Sequence, residues 1–363
     1  MNYNQENEYQ ERTTDMKRIE DIDKNLKADV ADDGYIYHNV LEKEFSIHGL
    51  IRENDAWVRM PDAVARRVNE GVFGLYKNTA GGRVRFRTDA SKIAIKVCVP
   101  KSWKMPHMPL TGQLGFDMYI GEGRDPRYVK TFVPPVTTET EYGGEAVIDA
   151  GMKTVTLNFP LYHDVNDLFI GVPEGAIIER CADYSVKAPI VYYGSSITQG
   201  GCASRPGNAY QAHVTRHFDA DHINLGFSGS ARAEDAMAEY IAGLEMSVFV
   251  YDYDHNAPTN EHLRDTHERF LRIIRKEQPT LPIVIMTRPK LNLLKFERER
   301  LEIVKATYEK LRAEGDENVY FIPGTELCEI CGDHGTVDGC HPTDLGFYSM
   351  AMRVIKELEK ILK

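Results

Sequence analysis

Side chains that could together activate a hydroxyl for attack on a carbonyl sit in separate short segments of this chain. Gly194-Ser195-Ser196-Ile197-Thr198 offers hydroxyls, and Asp338-Gly339-Cys340-His341-Pro342 offers a carboxylate three residues before an imidazole. A serine hydroxyl is a poor nucleophile until a neighbouring imidazole takes its proton, and a carboxylate fixes the tautomer of that imidazole. Two further segments, Asn224-Leu225-Gly226-Phe227-Ser228-Gly229 and Asp252-Tyr253-Asp254-His255-Asn256, combine glycine, acid, histidine and amide in the same compact way. Singly, each segment has a plainer reading. A Gly-Ser-Ser turn is usually a loop, a Gly-rich turn is usually backbone geometry, and a loop Asn is usually a turn residue or helix cap.

The pattern around these segments says what must position them. From residue 187 onward, short apolar runs without alternation read as strands covered on both faces: Ile190-Val191-Tyr192-Tyr193, Ile223-Asn224-Leu225, Val248-Phe249-Val250-Tyr251, Ile283-Val284-Ile285-Met286 and Val319-Tyr320-Phe321-Ile322. Helical stretches are expected between them at about 208–218, 233–243, 261–277 and 295–313. A last helix opens at Thr343 as N-cap, with Met350, Val354, Ile355, Leu358 and Ile361 on one stripe. Alternating strands and helices imply a parallel sheet covered on both faces, with ligands bound beyond the carboxyl ends of the strands. The first three chemistry-bearing segments follow the first three of these strands, and the fourth leads into the last helix.

Between about 34 and 183 the period is two. Arg83-Val84-Arg85-Phe86-Arg87, residues 93–99 and residues 154–159 alternate apolar with polar, as strands of an antiparallel sheet do. Ala80-Gly81-Gly82 and Tyr142-Gly143-Gly144 read as turns, and the whole as a jelly-roll-like β-sandwich. Residues 1–33 form a polar N-terminal arm. The chain thus divides into an arm, a sandwich over 34–183 and an α/β domain over 187–363.

In order and context the four segments resemble the blocks of the SGNH (GDSL-like) hydrolase superfamily, over about 187–363. That resemblance implies a flavodoxin-like three-layer domain. It gives Ser196 the nucleophile position, with Ser195 where the family usually has Asp, and it supplies the catalytic pair Asp338 and His341 from Asp-x-x-His-Pro. It implies an oxyanion hole from the backbone of Ser196 and Gly229 and the side chain of Asn256, with Gly226 as a turn residue. Upstream, Gly115-Phe116-Asp117-Met118-Tyr119 is similar to the Gly-x-Asp-Leu-Tyr domain that precedes some of these hydrolases, with Met118 for Leu. The order Ser, Asp, His is acceptable because such triads are defined by geometry. Neither serine turn fits the Gly-x-Ser-x-Gly elbow of α/β-hydrolases.

Bulk properties narrow the substrate. A formal net charge of −11 disfavours nucleic acid and anionic membrane surfaces as partners, and fits an uncharged substrate. No stretch approaches a membrane span and the N-terminus has no apolar leader, so a cytoplasmic protein with six free thiols is expected. Cys328, Cys331, His334, Cys340 and His341 could be read as a zinc cluster, but the spacing matches no common finger and would take His341 from the serine. Asp252, Asp254 and His255 read as a strand-end loop before they read as a metal site. No cofactor and no metal are expected, and homo-oligomerisation stays open. Trp103 and His107 are candidate substrate contacts, aromatic faces being useful against sugar rings; the simpler reading of Trp103 is a plug at the sandwich edge. The resemblance, through members joined to a β-sandwich, points to an esterase that removes acetyl groups from plant oligosaccharides such as mannan or xylan. Alternatives are a lipase or thioesterase, an acyltransferase, or a non-catalytic carbohydrate-binding protein.

Overall fold

The structure, a computed structural model, describes Asp23 and residues 34–362. The expected N-terminal arm lies outside the described residues apart from Asp23. Two antiparallel sheets build the N-terminal half. One joins β1 (Tyr35–Asn39), β6 (Lys92–Cys98), β9 (Glu141–Val147) and β11 (Asp167–Pro173) in the order β1-β11-β6-β9. The other runs β12-β5-β10-β7-β8, from β5 (Arg83–Thr88), β7 (Phe116–Ile120), β8 (Arg127–Phe132), β10 (Lys153–Asn158) and β12 (Ile178–Glu179), with β2 (Ser46–His48) added against β5. Inward residues of both sheets, among them Val84, Phe86, Ile95, Val97, Leu157 and Ile170, share one core. The outward residues Arg83, Arg85 and Arg87 of β5 stay on the opposite face, as period two requires.

Two readings of this half change. Tyr142-Gly143-Gly144, expected as a turn, lies inside β9, where Gly143 pairs with Lys96 and Gly144 with Ile95. A Cβ on Gly143 would come within 2.8 Å of the Ile95 carbonyl oxygen, so the glycine marks close strand approach. After the small hairpin of β3 (Ile51–Glu53) and β4 (Ala56–Val58), and ahead of the single turn α3 (Leu110–Gln113), two helices follow: α1 (Asp62–Val68) and α2 (Glu70–Leu75). Their Ala65, Val68 and Val72 pack into a core of the α/β half rather than into the sandwich. Spacings of three and four carry that stripe, a helical pattern inside a region otherwise read by alternation.

The C-terminal half is a five-stranded parallel sheet in the order β14-β13-β15-β16-β17. Its strands are β13 (Val186–Gly194), β14 (Ala220–Gly226), β15 (Val248–Asp252), β16 (Ile283–Met286) and β17 (Val319–Ile322). This is the flavodoxin-like order, with the switch between β13 and its two neighbours. Alternate strand residues feed two cores. Val191, Tyr193, Phe249, Tyr251, Ile283 and Ile285 face α6 (Asp235–Ala242), α7 (Asn260–Glu277) and α8 (Lys295–Ala313). Tyr192, Val248, Val250, Val284 and Met286 face α5 (Tyr210–Phe218) and α9 (Asp344–Leu358). Burial on both faces explains why these strands carry no polar alternation. Thr343 is the N-cap of α9 in position only: its hydroxyl donates to the Gly335 carbonyl and caps no helical N–H. No helix among the described residues is long and apolar enough to cross a membrane.

Candidate active site

The first segment leaves β13 at Gly194 and turns at once into α4 (Ser196–Gln199). A side chain at Gly194 would strike the Asp252 carbonyl and the Thr198 hydroxyl, so the turn needs glycine for room. The Ser195 hydroxyl accepts from the Ile197 N–H at 3.1 Å and caps the short helix. That is the job of Ser195 in a position where Asp is the usual residue. Ser196 follows as the first helical residue, with Oγ 3.0 Å from Nε2 of His341. On the other side of that ring, Nδ1 lies 2.7 Å from Oδ2 of Asp338. The spacing of three works because Oδ1 of Asp338 accepts from the backbone N–H of His341 at 2.7 Å and of Cys340 at 2.9 Å, folding the loop on itself.

Electrostatics follow from these contacts. Against the cost of its burial, the His341 backbone N–H and ring hold the Asp338 carboxyl down at about 2. His341 is raised to about 9, first by the Cys340 side chain in hydrogen-bond reach, then by Asp338, with partial burial working against both. Nearby, Sγ of Cys340 lies 3.2 Å from Nε2 of His255. Burial, reinforced by Arg288 and His341, keeps His255 neutral, at about 3. Behind the nucleophile, Asp252 lies 3.2 Å from the Thr198 hydroxyl, and burial beside Asp254 pushes it up to about 8.

The second and third segments close on the same turn. Gly226 ends β14 rather than forming a turn; its missing side chain lets the backbone of Thr198 and Gln199 pack directly against it. Gly229 has φ +66°, in the left-handed region, and its N–H has no hydrogen-bond partner among the described residues. The Asn256 amide donates to the Phe227 carbonyl at 2.9 Å, tying the third segment to the second and leaving one amide N–H uncommitted.

Several supporting residues carry no local sequence signal. Arg300, on α8, donates to the carbonyls of Asp254 at 2.6 Å and Ala257 at 2.8 Å, fixing the loop that holds Asn256. Gln199 accepts from the Ser228 N–H at 3.0 Å and donates to Asn78 and the Leu161 carbonyl. Arg59, from the N-terminal half, donates to the carbonyls of Asn224 and Gly226 and lies 4.3 Å from the Phe227 ring centroid. Complete burial brings its guanidinium down to about 9. The Gly-x-Asp-x-Tyr segment has a docking role: Asp117 accepts from the Gly207 N–H at 2.8 Å and from Arg205 at 2.7 Å, joining β7 to the approach to α5.

The His107 ring centroid lies 5.7 Å from that of His341, so the loop between β6 and β7 reaches the triad rim. Trp103 on the same loop is 49% exposed, which removes the reading of it as a plug. The buried tryptophan of the sandwich is Trp57, against Phe159. All six cysteines are free thiols. Among the described residues, groups of three potential metal donors with ligand atoms within 4.8 Å are His107, Cys202 and His341, and Asp338, Cys340 and His341. Neither includes Cys328, Cys331 or His334, and both use the imidazole that bonds Ser196.

Comparison with known proteins adds to this geometry. Residues 187–362 match the profile of the GDSL-like lipase/acylhydrolase family, and residues 35–178 match the GxDLY N-terminus of SGNH-hydrolase-type esterases. A lipase-like GDSL protein from Bacteroides ovatus is 30% identical with a TM-score of 0.82, over 90% of this chain and 98% of its own. A salicylyl-acyltransferase from a tetracycline biosynthetic pathway is 20% identical with a TM-score of 0.75, over 91% of this chain and 98% of its own. An acetyl xylan esterase from the rumen bacterium Butyrivibrio proteoclasticus is 12% identical with a TM-score of 0.58, over 90% and 98%. The last two likenesses are ones of fold. No curated protein matches in sequence.

Proposed function

We propose that this chain, which belongs to the GDSL-like lipase/acylhydrolase family, is a serine esterase that removes acetyl groups from carbohydrate through an acyl-serine intermediate. The observation that carries this reading is the chain of contacts from Ser196 Oγ to His341 Nε2 at 3.0 Å and from His341 Nδ1 to Asp338 at 2.7 Å. In it the Ser196 hydroxyl attacks the ester carbonyl while His341 takes its proton, and Asp338 stabilises the imidazolium that forms. The N–H groups of Ser196 and Gly229 and the free amide N–H of Asn256 receive the negative oxygen. His341 returns its proton to the leaving sugar hydroxyl. It then takes one from the attacking water and gives it to Ser196 Oγ as acetate leaves.

Carbohydrate as the alcohol that carries the acetyl group is supported by His107 at the triad rim and by the exposed Trp103 on the same loop, a polar group and an aromatic face suited to a sugar ring. Acetylated mannan or xylan oligosaccharides are the preferred substrates, by analogy with esterases of this fold. Acting in the cytoplasm, where free thiols persist, the enzyme would deacetylate imported fragments. The test is acetate release from a panel of acetylated mannan and xylan oligosaccharides, beside nitrophenyl esters of increasing chain length. Strict acetyl preference with sugar deacetylation supports the reading. Preference for long chains indicates a lipase or thioesterase, and acyl transfer to an added alcohol in preference to water indicates an acyltransferase.

A further inference from the structure

Away from the triad, the outer face of the β5 sheet lies against α5, and a cleft between them is lined by Arg83, Arg85, Tyr119, Tyr184, Arg216 and Asp219 among others. Three guanidinium groups thus face one carboxylate. Arg83 is fully engaged: it pairs with Asp221 and donates to the carbonyls of Gly81 and His222. Asp219 is engaged as well, accepting from the backbone and hydroxyl of Ser185. Arg216 spends one nitrogen on His213 and lies over the Tyr119 ring.

Arg85 is different. It is 5% exposed, and its Nε and Nη1 are buried with no hydrogen-bond partner among the described residues. Its guanidinium carbon lies 4.0 Å from the Tyr184 ring centroid. A buried cation whose donors meet no protein acceptor is costly unless an acceptor or an opposite charge is brought to it. Such a group calls for a partner, an ordered water or a bound ion among them.

We propose that this cleft is a binding site for a small oxyanion, a carboxylate or inorganic phosphate, held by Arg85 with Arg216 beside it. The space fits that class: the cleft is small, with room for an ion of a few heavy atoms and not for a sugar. Guanidinium donors match oxyanions in charge and in hydrogen bonding. Because Arg85 belongs to the sandwich and Arg216 to α5, the bound anion bridges the two domains and stabilises their contact.

The test is the unfolding temperature of the full chain titrated with inorganic phosphate, and separately with acetate, at constant ionic strength set by a bulky organic sulfonate. The wild-type chain is expected to gain about 2–4 °C in a saturable manner. Arg85→Met is expected to lose that gain, while Arg85→Lys retains part of it. Nitrophenyl acetate hydrolysis by folded Arg85→Met, which keeps the triad, should persist. Should Arg85→Met fail to fold, Arg216→Met carries the same expectation of a weakened response. A wild-type chain that does not respond, or variants that respond as wild type does, would overturn the site.

Discussion

The nucleophile turn and the Asp338–His341 loop meet at one hydrogen bond, yet they are held in different ways. Ser195, Ser196, Thr198 and Gln199 are all buried, between a strand end and the backbone of β14, with Tyr162 donating to the Ser196 carbonyl at 3.0 Å. Packing from every side fixes that serine. Asp338 and His341 have side chains 37% and 23% exposed. Their loop is held by its own hydrogen bonds, by Val337 N–H to the His341 carbonyl at 2.9 Å and by Thr343 N–H to Gly335 at 2.8 Å. A few exposed hydrogen bonds protect a segment less than a packed core does. The site therefore joins a rigid nucleophile to a base on the more yielding element, and the base side is where pH and substitution should act most selectively.

The largest effect tests whether the two sides work as one unit. Ser196→Ala and His341→Ala should each lower kcat on nitrophenyl acetate by roughly 10⁶-fold, and the double variant should be no worse. Additive losses would break the pairing. Asp338→Asn should cost about 10⁴-fold, through the wrong imidazole tautomer. Asn256→Ala, on the rigid side, should cost about 10²–10³ in kcat with KM little changed. Arg300→Met should give a smaller fall, because Asn256 remains but its loop loses two backbone anchors; a KM effect alone would argue that Arg300 contacts substrate instead.

The mildest test lies on the yielding side. A general base must be neutral, and His341 is raised to about 9, so kcat/KM should climb with pH and level off only above that value. Cys340→Ala removes the first of the raising contacts, and the acidic limb of the profile should move to lower pH with kcat at its plateau retained. An unmoved limb would assign the shift to Asp338 alone.

How much of this was legible depends on where each contact lies along the chain. The buried strands were plain because they carry uninterrupted apolar runs, as in Ile283–Met286, which the structure reproduces as β16. The Asp338 and His341 pairing is local, so spacing alone brings it to attention. Arg59, Gln199 and Arg300 gave no signal, since their partners lie on other elements and any arginine or glutamine in a helix or loop looks solvated. Helices α1 and α2 were hidden inside a region read by alternation, and Gly143 and Gly144 imitated a turn while serving close strand approach. The plainer reading of Trp103, as a plug at the sandwich edge, failed for a related reason. Which of two tryptophans closes a sandwich core is set by tertiary packing, and Trp57 has that place.

The central claim is tested most directly by catching the acyl group. Acid quenching during turnover of nitrophenyl acetate, followed by peptide mass spectrometry, should place an acetyl adduct on Ser196 and on no other residue, and the adduct should be missing from Ser196→Ala. Turnover that proceeds with Ser196 unmodified, or an adduct on another side chain, would contradict the account.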